Sequence, residues 1–507
     1  MTLGLILMYL LTIWFSYSDL SMSSSGPEPR GSGPQEHTHQ RNSTAKPIVL
    51  NRTRKTSQKS KLDRKPAVYR RHYDVSFAVD NRTDYPGNEA SSAATVRDDV
   101  ACRGNSTDER HAFVSVAPQL YVYSVYWDAR RNDFDNDDGG VQLRIMTIIN
   151  TAMASSGTPL YCLFTNTTAA TTGEYVPVLA SYYEMCENHR GHMGGYILSC
   201  KVPPAVYGTD KTTAPCRVRL SPTVNPAHRM AADFKVINTA AVTSRQRDFT
   251  VCVAPLYGDI AHAQIIEFIE LSRLLGADHV TFYDYELLSS TRALLEYYSS
   301  IERVTLLPWK LSAHIDLLVW YHAQLVAVSD CLYRNMALSR YVVFMDLDEY
   351  IVPYEWTSWQ DMAQALGTND TCAFQVSSVF VDPYFQDRDS KPDNPLRTLT
   401  NTWRTHATSR VRTKCMVAPQ LVFEAGIHHV SKPVLARYET RRVDYPQALL
   451  HHHRLCLSNF NMNCVDMVRD DVLPRRYTSV LQQRYARKLQ QFGRYLQTQQ
   501  ANIQPPV

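Results

Sequence analysis

The sequence predicts an α/β fold in its C-terminal half, preceded by a β-rich segment. Three observations carry this. From Asp248 onward, apolar strand-like runs alternate with segments of helical periodicity. Between His111 and about Arg245 the runs are short, alternating or β-branched, and broken by Gly, Pro and polar residues. Before His111, apolar clustering is confined to the first seventeen residues. The chain has 507 residues, enough for two or three domains. With 44% hydrophobic and 20% charged residues it is not a disordered chain, a collagen or a polytopic membrane protein.

Leu3 to Phe15 (LGLILMYLLTIWF) is apolar apart from Gly4 and Thr12. It is short against the ~20 residues of a typical spanning helix. Residues 1–17 read as a signal peptide or a signal anchor. Either places the rest of the chain in the secretory pathway, and an anchor would make the membrane a partner. Residues 18–110 are rich in Ser, Thr, Pro, Gly, Lys and Arg and cannot bury enough surface to offset chain entropy, so they read as a flexible basic stem. The stretch 21–72 has 12 Lys/Arg against 3 Asp/Glu, and the chain from Tyr73 onward is mildly acidic. The net charge of +4 is therefore no argument for nucleic acid. N-x-S/T sequons at Asn42, Asn51, Asn81, Asn105, Asn166 and Asn369 fit a glycan-bearing lumenal chain. Eleven Cys without a C-x-x-C pair point to disulfides with at least one thiol left over. Cys162, Cys186, Cys200 and Cys216 are close enough in sequence to staple one small domain.

Residues 111–245 contain the runs AFVSV, LYVYSVYW, VQLRIMTII, LYCLF, GYILSC and CRVRL, which suggest a sandwich-like accessory domain. Its role is either glycan binding through aromatics such as Tyr123 or Trp127, or structural. The alternation through Tyr121, Tyr123 and Val125 favours core packing for Tyr123. In 246–495, strands are expected at Phe249–Leu256, His279–Tyr283, Arg303–Leu307 and Tyr341–Met345. Helices are expected at Ala261–Leu275, Thr291–Tyr298 and His322–Ala337. This alternation predicts a parallel sheet covered on both sides. Residues 496–507 read as a disordered tail.

In such sheets ligands bind at the carboxyl ends of the strands. That rule points to Asp346-Leu347-Asp348-Glu349, which follows the fourth strand. On an extended backbone the i, i+2 spacing puts both Asp side chains on one side. Two like charges side by side need a cation or donors, and a divalent metal holding a diphosphate would supply one. The P-loop, Rossmann, zincin and α/β-hydrolase motifs are absent from the sequence.

Residues 249–454 resemble glycosyltransferase family 92. The resemblance runs through Cys252-Val-Ala-Pro-Leu-Tyr-Gly258, Glu267–Gly276, Pro308-Trp309, Gln324 and Asp330-Cys-Leu-Tyr-Arg-Asn335. Its strongest segment is Tyr341–Pro353. It continues in Lys414–Pro419, Gly426-Ile-His-His-Val430 and His452-His-Arg454, with His453 where the family usually has Tyr. Val122–Arg130 is similar to the family's extra β-domain. The resemblance implies a GT-A fold and a type II Golgi membrane enzyme with a lumenal catalytic domain. It also implies Mn²⁺ or another divalent cation, a UDP-sugar donor, and inverting transfer of galactose from UDP-galactose onto a glycan acceptor such as fucose of N-glycans.

On this reading Asp348 and His452 ligate metal, and Asp346 contacts metal or ribose. His428, His429, His451 and His453 are further histidine candidates, and Glu349 orients the motif. Lys414 and Arg454 neutralise the diphosphate. Pro255, Tyr257 and Asp284 hold the uridine. Asp382 is the expected catalytic base, with Glu424 and Asp316 as alternatives. Two rival readings are a metal-dependent nucleotidyl or phosphoryl transferase, which lacks its Gly loop here, and a catalytically inactive lectin-like secretory protein.

Overall fold

The computed structural model describes residues 112–503 except 134–139, 166–174, 190, 208–210, 212–213, 239–244, 384, 386–393 and 457–462. The N-terminal apolar segment, the stem and five of the six sequons lie outside the described residues; Asn369 is exposed in a turn. Among the described residues no helix is long and apolar enough to cross a membrane.

The β-rich segment has nine strands: β1 (Val114–Ala117), β2 (Leu120–Asp128), β3 (Gln142–Asn150), β4 (Tyr161–Thr165), β5 (Tyr175–Leu179), β6 (Ser181–Glu184), β7 (Met193–Lys201), β8 (Arg217–Ser221) and β9 (Ala232–Ile237). They form one sheet in the order β5-β4-β8-β9-β2-β3-β7-β6, with β1 paired to β2. Cys162 of β4 is disulfide-bonded to Cys200 of β7, with Cα atoms 6.3 Å apart. Five strand spacings would hold them about 24 Å apart in a flat sheet. The sheet therefore folds over on itself, and its two halves enclose Val122, Trp127, Leu143, Phe164, Leu198 and Leu220. Of the other two expected staples, Cys216 is disulfide-bonded and Cys186 is an exposed free thiol.

The second half contains β10 (Arg247–Cys252), β11 (Leu256–Gly258), β12 (His279–Leu287), β13 (Val304–Pro308), β14 (Ser339–Phe344), β15 (Glu349–Pro353), β16 (Thr371–Phe380), β17 (Trp403–Thr405), β18 (Ser409–Val417), β19 (Val422–Ala425), β20 (Val430–Pro433), β21 (Glu439–Val443), β22 (Ala448–His452) and β23 (Met467–Arg469). Its main helices are α1 (His262–Leu275), α2 (Ser289–Ser300), α3 (Gln324–Arg334), α4 (Trp359–Leu366) and α5 (Val472–Ile503). The main sheet runs β11-β12-β10-β14-β18-β16-β22-β15. Strands β10 to β14 are mutually parallel, as the alternation of strand and helix predicts. Beyond β14 the sheet becomes mixed: β18 is antiparallel to β14, β16 to β18, and β15 to β22. The expectation of a parallel sheet thus holds for its first half only. Apolar strand runs look alike in either direction.

Period-two alternation assigns the two faces. Phe249, Val251, Val280, Phe282, Tyr341 and Val343 point into one core with Ile265, Phe268 and Ile269 of α1, Leu294 and Tyr298 of α2, and Leu473 and Leu481 of α5. The intervening Cys252, Tyr283, Val342 and Phe344 pack on the other face with Leu325 and Val326 of α3. That second core also takes in Tyr123, Tyr126, Met146 and Ile148 from the β-rich sheet. Tyr123 is 5% exposed and packs on Trp309 at 4.4 Å between ring centroids, while Trp127 has no exposed surface. Both named aromatics are core, which removes the sequence support for glycan binding through them.

At the centre of this shared core lies Asp330 of α3. It accepts hydrogen bonds from Ser124 Oγ (2.6 Å), Tyr126 Oη (2.5 Å) and Tyr283 Oη (2.7 Å), and pairs with Arg334 Nε at 3.1 Å. Burial works to raise its pKa, but Arg334 and these donors hold it below the usual carboxylate range. The next residue, Cys331, is disulfide-bonded to Cys252 at the end of β10.

Helix α5 reaches Ile503, so residues 496–503 are helical where the sequence suggests a disordered tail. Its aromatic residues Tyr477, Tyr485, Phe492 and Tyr495 recur at helical spacing and pack on the first core. The Gln-rich end that follows consists of good helix formers.

Candidate active site

Strand β14 ends at Phe344, beside Cys252 at the end of β10. The chain then turns. The Glu349 N–H donates to the Asp346 carbonyl at 3.0 Å and closes a four-residue turn that leads into β15. The two aspartates therefore sit in a turn, not on the extended backbone that the i, i+2 spacing suggests, and they meet different partners. Lys414 Nζ of β18 lies 3.0 Å from Asp346 Oδ2 and 3.3 Å from Glu349 Oε2. His452, the last residue of β22, lies 3.3 Å from Asp348 through Nε2 and 3.4 Å from Glu349 through Nδ1. The β15–β22 pairing brings this about, since it sets Glu349 opposite His452. The His453 N–H donates to the Asp348 carbonyl at 2.7 Å, and Phe380 stacks on the His452 ring.

Glu349 organises the site. It is buried, accepts the Asp346 N–H at 3.0 Å, and lies between Lys414 and His452. Burial pushes its pKa up, opposed by the Lys414 charge and reinforced by Asp346. For Asp348, burial is outweighed by the hydrogen bond and charge of His452 and by the charge of Arg454, so its pKa falls. For His452, burial is outweighed by Glu349 and Asp348, so its pKa rises. Lys414 is likewise held charged by Asp346 and Glu349 against burial. The two aspartates keep contact with solvent, with 38% of the Asp346 side chain and 33% of that of Asp348 exposed.

The donor set can be tested against a divalent ion. Two ligand atoms about 2.1 Å from one ion, at near right angles, lie about 3 Å from each other. The 3.3 Å between Asp348 Oδ2 and His452 Nε2 suits such a pair. Among the described residues no group of three His, Cys, Asp or Glu side chains converges, and Asp346 is partnered by Lys414. The pair fits an ion that draws its remaining ligands from outside the protein, such as phosphate oxygens and water.

The other expected residues divide. Pro255 is buried in the β10–β11 loop, and Tyr257 is 51% exposed. Asp284 is committed to Arg292 (Nε at 2.5 Å) and to the Leu287 N–H at 3.1 Å, so it fixes the end of β12. Asp382 is buried two residues past β16 and accepts the Cys456 N–H at 3.0 Å. The neighbouring Val381 N–H donates to the His452 carbonyl. Glu424 is fully buried and bonds to Tyr183 Oη (2.7 Å) and the Cys186 N–H (2.8 Å). It ties β19 to the β-rich segment. Burial lowers the pKa of both His428 and His451 to about 4, with the Lys414 charge also acting on His428. His451 Nε2 is 2.7 Å from Tyr354 Oη, and His429 Nδ1 is 3.6 Å from Glu187.

Two groups went unseen in the sequence. Arg412 stands two residues before Lys414 on β18 and is close enough to feel the charges of Arg454 and Glu349. The i, i+2 spacing on a strand was its available signal. The second group is Tyr321-His322-Ala323, with φ of 42°, 56° and 59°. Left-handed non-glycine residues cost on the order of 1 kcal/mol or more each and cluster at functional sites. The Tyr321 phenol is pushed up by partial burial and then by Asp346, Tyr257 and Asp348, so it lies near both aspartates.

The family model described as Glycosyltransferase family 92 matches residues 247–489, beginning where β10 begins. The chain is 26% identical to "Beta-1,4-galactosyltransferase galt-1" of Caenorhabditis elegans, over 73% of this chain and 84% of that protein. It is 24% identical to "Galactan beta-1,4-galactosyltransferase GALS1" of Arabidopsis thaliana, over 42% of this chain and 44% of the relative. Among solved structures, S. aureus TarS 1–349 in complex with UDP matches 42% of this chain and 62% of that one, at 14% identity and a TM-score of 0.23. The turn bearing Asp346 and Asp348 lies inside the segment that this family model matches. Residues 247–489, which carry Asp346, Asp348, Lys414 and His452, match glycosyltransferase family 92.

Proposed function

We propose that the protein is a metal-dependent inverting hexosyltransferase of GT-A type that moves galactose from UDP-galactose onto a glycan acceptor, such as fucose of N-glycans. The observation that carries the reading is the Asp348–His452 pair, 3.3 Å apart and partly open to solvent, beside the Lys414–Asp346 pair. The names of the galactosyltransferase relatives support galactose as the sugar transferred.

Each residue then has a task. Asp348 and His452 would hold Mn²⁺ or another divalent cation, which as a Lewis acid would stabilise the departing diphosphate. His452 must give up its proton to ligate, so affinity for the ion should fall as pH falls. Lys414, Arg454 and Arg412 place positive charge beside the site, where the leaving UDP gathers negative charge. Glu349 holds Lys414 and His452 in position. Tyr257 and Pro255 lie at the strand ends where the uridine would sit. Asp382, close in the chain to the Phe380–His452 contact, is the retained candidate for the base that takes the acceptor hydroxyl proton. A Golgi lumenal setting with an N-terminal anchor accords with the apolar segment at residues 3–15 and with the disulfides of the fold.

The test is a transfer assay with purified protein, Mn²⁺, a panel of UDP-sugars and fucosylated acceptors. Galactose transfer that stops on chelation is expected. Metal-independent transfer, or a preference for another donor, would refute the corresponding part of the reading.

A further inference from the structure

The carboxyl ends of β11 and β12, together with the segment after β13, hold an aromatic cluster of which the reading above uses only Tyr257. The His322 ring lies 4.9 Å from Tyr257, 4.7 Å from Tyr285 and 5.6 Å from Tyr321. Tyr257 and Tyr321 are each about half exposed (51% and 52%). The backbone that presents these rings is strained through three successive left-handed residues, Tyr321 to Ala323. Specific contacts hold it there. Trp309 Nε1 donates to the His322 carbonyl at 2.8 Å, and His322 Nδ1 is 2.9 Å from Asp316 Oδ1. Asp316 is also close enough to Tyr285 to add to burial in pushing its phenol pKa up.

This arrangement fixes a tautomer. An ionised carboxylate only accepts, so the ring proton is assigned to Nδ1, and Nε2 presents a lone pair. Among the described residues no side chain or backbone group hydrogen-bonds to Nε2. An imidazole oriented by a carboxylate and neighboured by two accessible phenol rings is suited to a flat heterocycle that offers one N–H.

We propose that His322 reads the nucleobase of the donor: Nε2 accepts the N3–H of uracil while the base lies between Tyr257 and Tyr321. The inference rests on the donor reading above and names the residue that would set its base specificity. Cytosine presents a lone pair at N3 in place of the N–H. It would leave two acceptors facing each other, a mismatch that buried polar sites reject strongly.

The experiment titrates the full chain, with Mn²⁺ present, with UDP, CDP and N3-methyl-UDP by calorimetry. UDP should bind at least tenfold tighter than the other two. His322→Phe keeps a ring but removes the acceptor. It should weaken UDP and relieve the CDP mismatch, so that the two bind with similar affinity. Equal binding of UDP and N3-methyl-UDP by the unaltered protein overturns the assignment and requires no variant to fold. A Phe variant that keeps the UDP/CDP ratio overturns it as well. If the unaltered protein binds no nucleoside diphosphate, the donor reading falls, and this inference with it. If UDP binds, Asp348→Asn weakens all three ligands alike, and the ratio ignores His322, only the base assignment falls.

Discussion

Asp330 and Asp348 belong to the same domain and are both held by a basic side chain, yet they are satisfied to different degrees. Asp330 has no exposed surface and receives three hydroxyl hydrogen bonds of 2.5–2.7 Å as well as the Arg334 pair. Asp348 is a third exposed, and its side chain has one close basic partner, His452, at 3.3 Å. A buried carboxylate with all its acceptor capacity used has none left for a ligand, and it binds the elements around it together. A carboxylate that keeps spare acceptor capacity next to a shifted imidazole can take a cation. The difference sets the structural carboxylate Asp330 apart from the candidate site carboxylate Asp348, and it runs parallel to their burial.

The comparison breaks most visibly at Asp330. Asp330→Ala removes the acceptor that joins Ser124 and Tyr126 of the β-rich sheet to Tyr283 and Arg334, and leaves a part-buried guanidinium and three buried hydroxyls without it. Losing one partner of a buried pair costs about 3–5 kcal/mol. Chemical denaturation should show a loss of that size, or the variant should fail to accumulate as folded protein. A loss below about 1 kcal/mol would mean that the hub is redundant.

Asp348→Asn should have the complementary profile. The shape is kept and the charge removed, so transfer activity should fall at least a hundredfold, about 2.7 kcal/mol of barrier. The melting temperature should change little, because Asp348 carries no structural network through its side chain. A variant with wild-type activity would remove Asp348 from the site. One with a collapsed melting temperature would make Asp348 a second Asp330.

The sequence made one member of this pair legible and hid the other. Two aspartates after an apolar strand can be read locally, because strand alternation and strand-end chemistry need only neighbouring residues. The turn that holds them was misjudged, since i, i+2 spacing carries no information on whether the backbone stays extended. The role of Asp330 depends on Ser124, 206 residues earlier in the chain, and on Tyr126, 204 residues earlier. No local pattern encodes such a contact. The contact of Glu424 is hidden in the same way, because Tyr183, its partner, lies 241 residues away. Lys414 and His452 were found through family resemblance, and the β15–β22 register then gave the physical reason for the His452 contact. The strained His322 turn had no signal at all, as its glycine-free sequence gives no hint of positive φ.

The histidines sharpen the comparison through pH. His279, His451 and His453 are buried, and burial depresses their pKa values to about 3, 4 and 3. They are neutral in the fold, whereas the unfolded chain takes up protons below its ordinary pKa near 6.5. Their contribution is therefore present above about pH 6.5 and lost as pH falls, by about 1.4 kcal/mol for each such imidazole at pH 5.5. His452 has the opposite sign: its raised pKa adds stability in acid and loses it as pH rises through the folded value. His428, also lowered to about 4, acts in the same sense, so four histidines against one predict a lower melting temperature at pH 5.5 than at 7.5. A flat or rising profile would mean that these rings are not held neutral.

The smallest effect concerns His453, a third kind of site in which a buried polar group has neither a full set of partners nor an open face. It is 4% exposed, and neither ring nitrogen has a hydrogen-bond partner. Its neighbours are the Tyr350 ring, edge-on at 5.6 Å, and His451 at 6.1 Å. Its contact with Asp348 runs through the backbone N–H, which any residue except proline retains. A buried polar group without a partner costs about 1–3 kcal/mol. His453→Phe replaces it with an apolar ring of similar size and keeps the edge-on contact with Tyr350, so it should stabilise the fold by about 1 kcal/mol. The gain should be larger at pH 5.5 than at 7.5, because the variant also removes one imidazole that the unfolded chain would protonate. Denaturation curves at the two pH values check both statements. If the Phe variant is less stable at pH 7.5, the imidazole nitrogens are satisfied by bound water, and His453 belongs with Asp330 among the fully partnered groups.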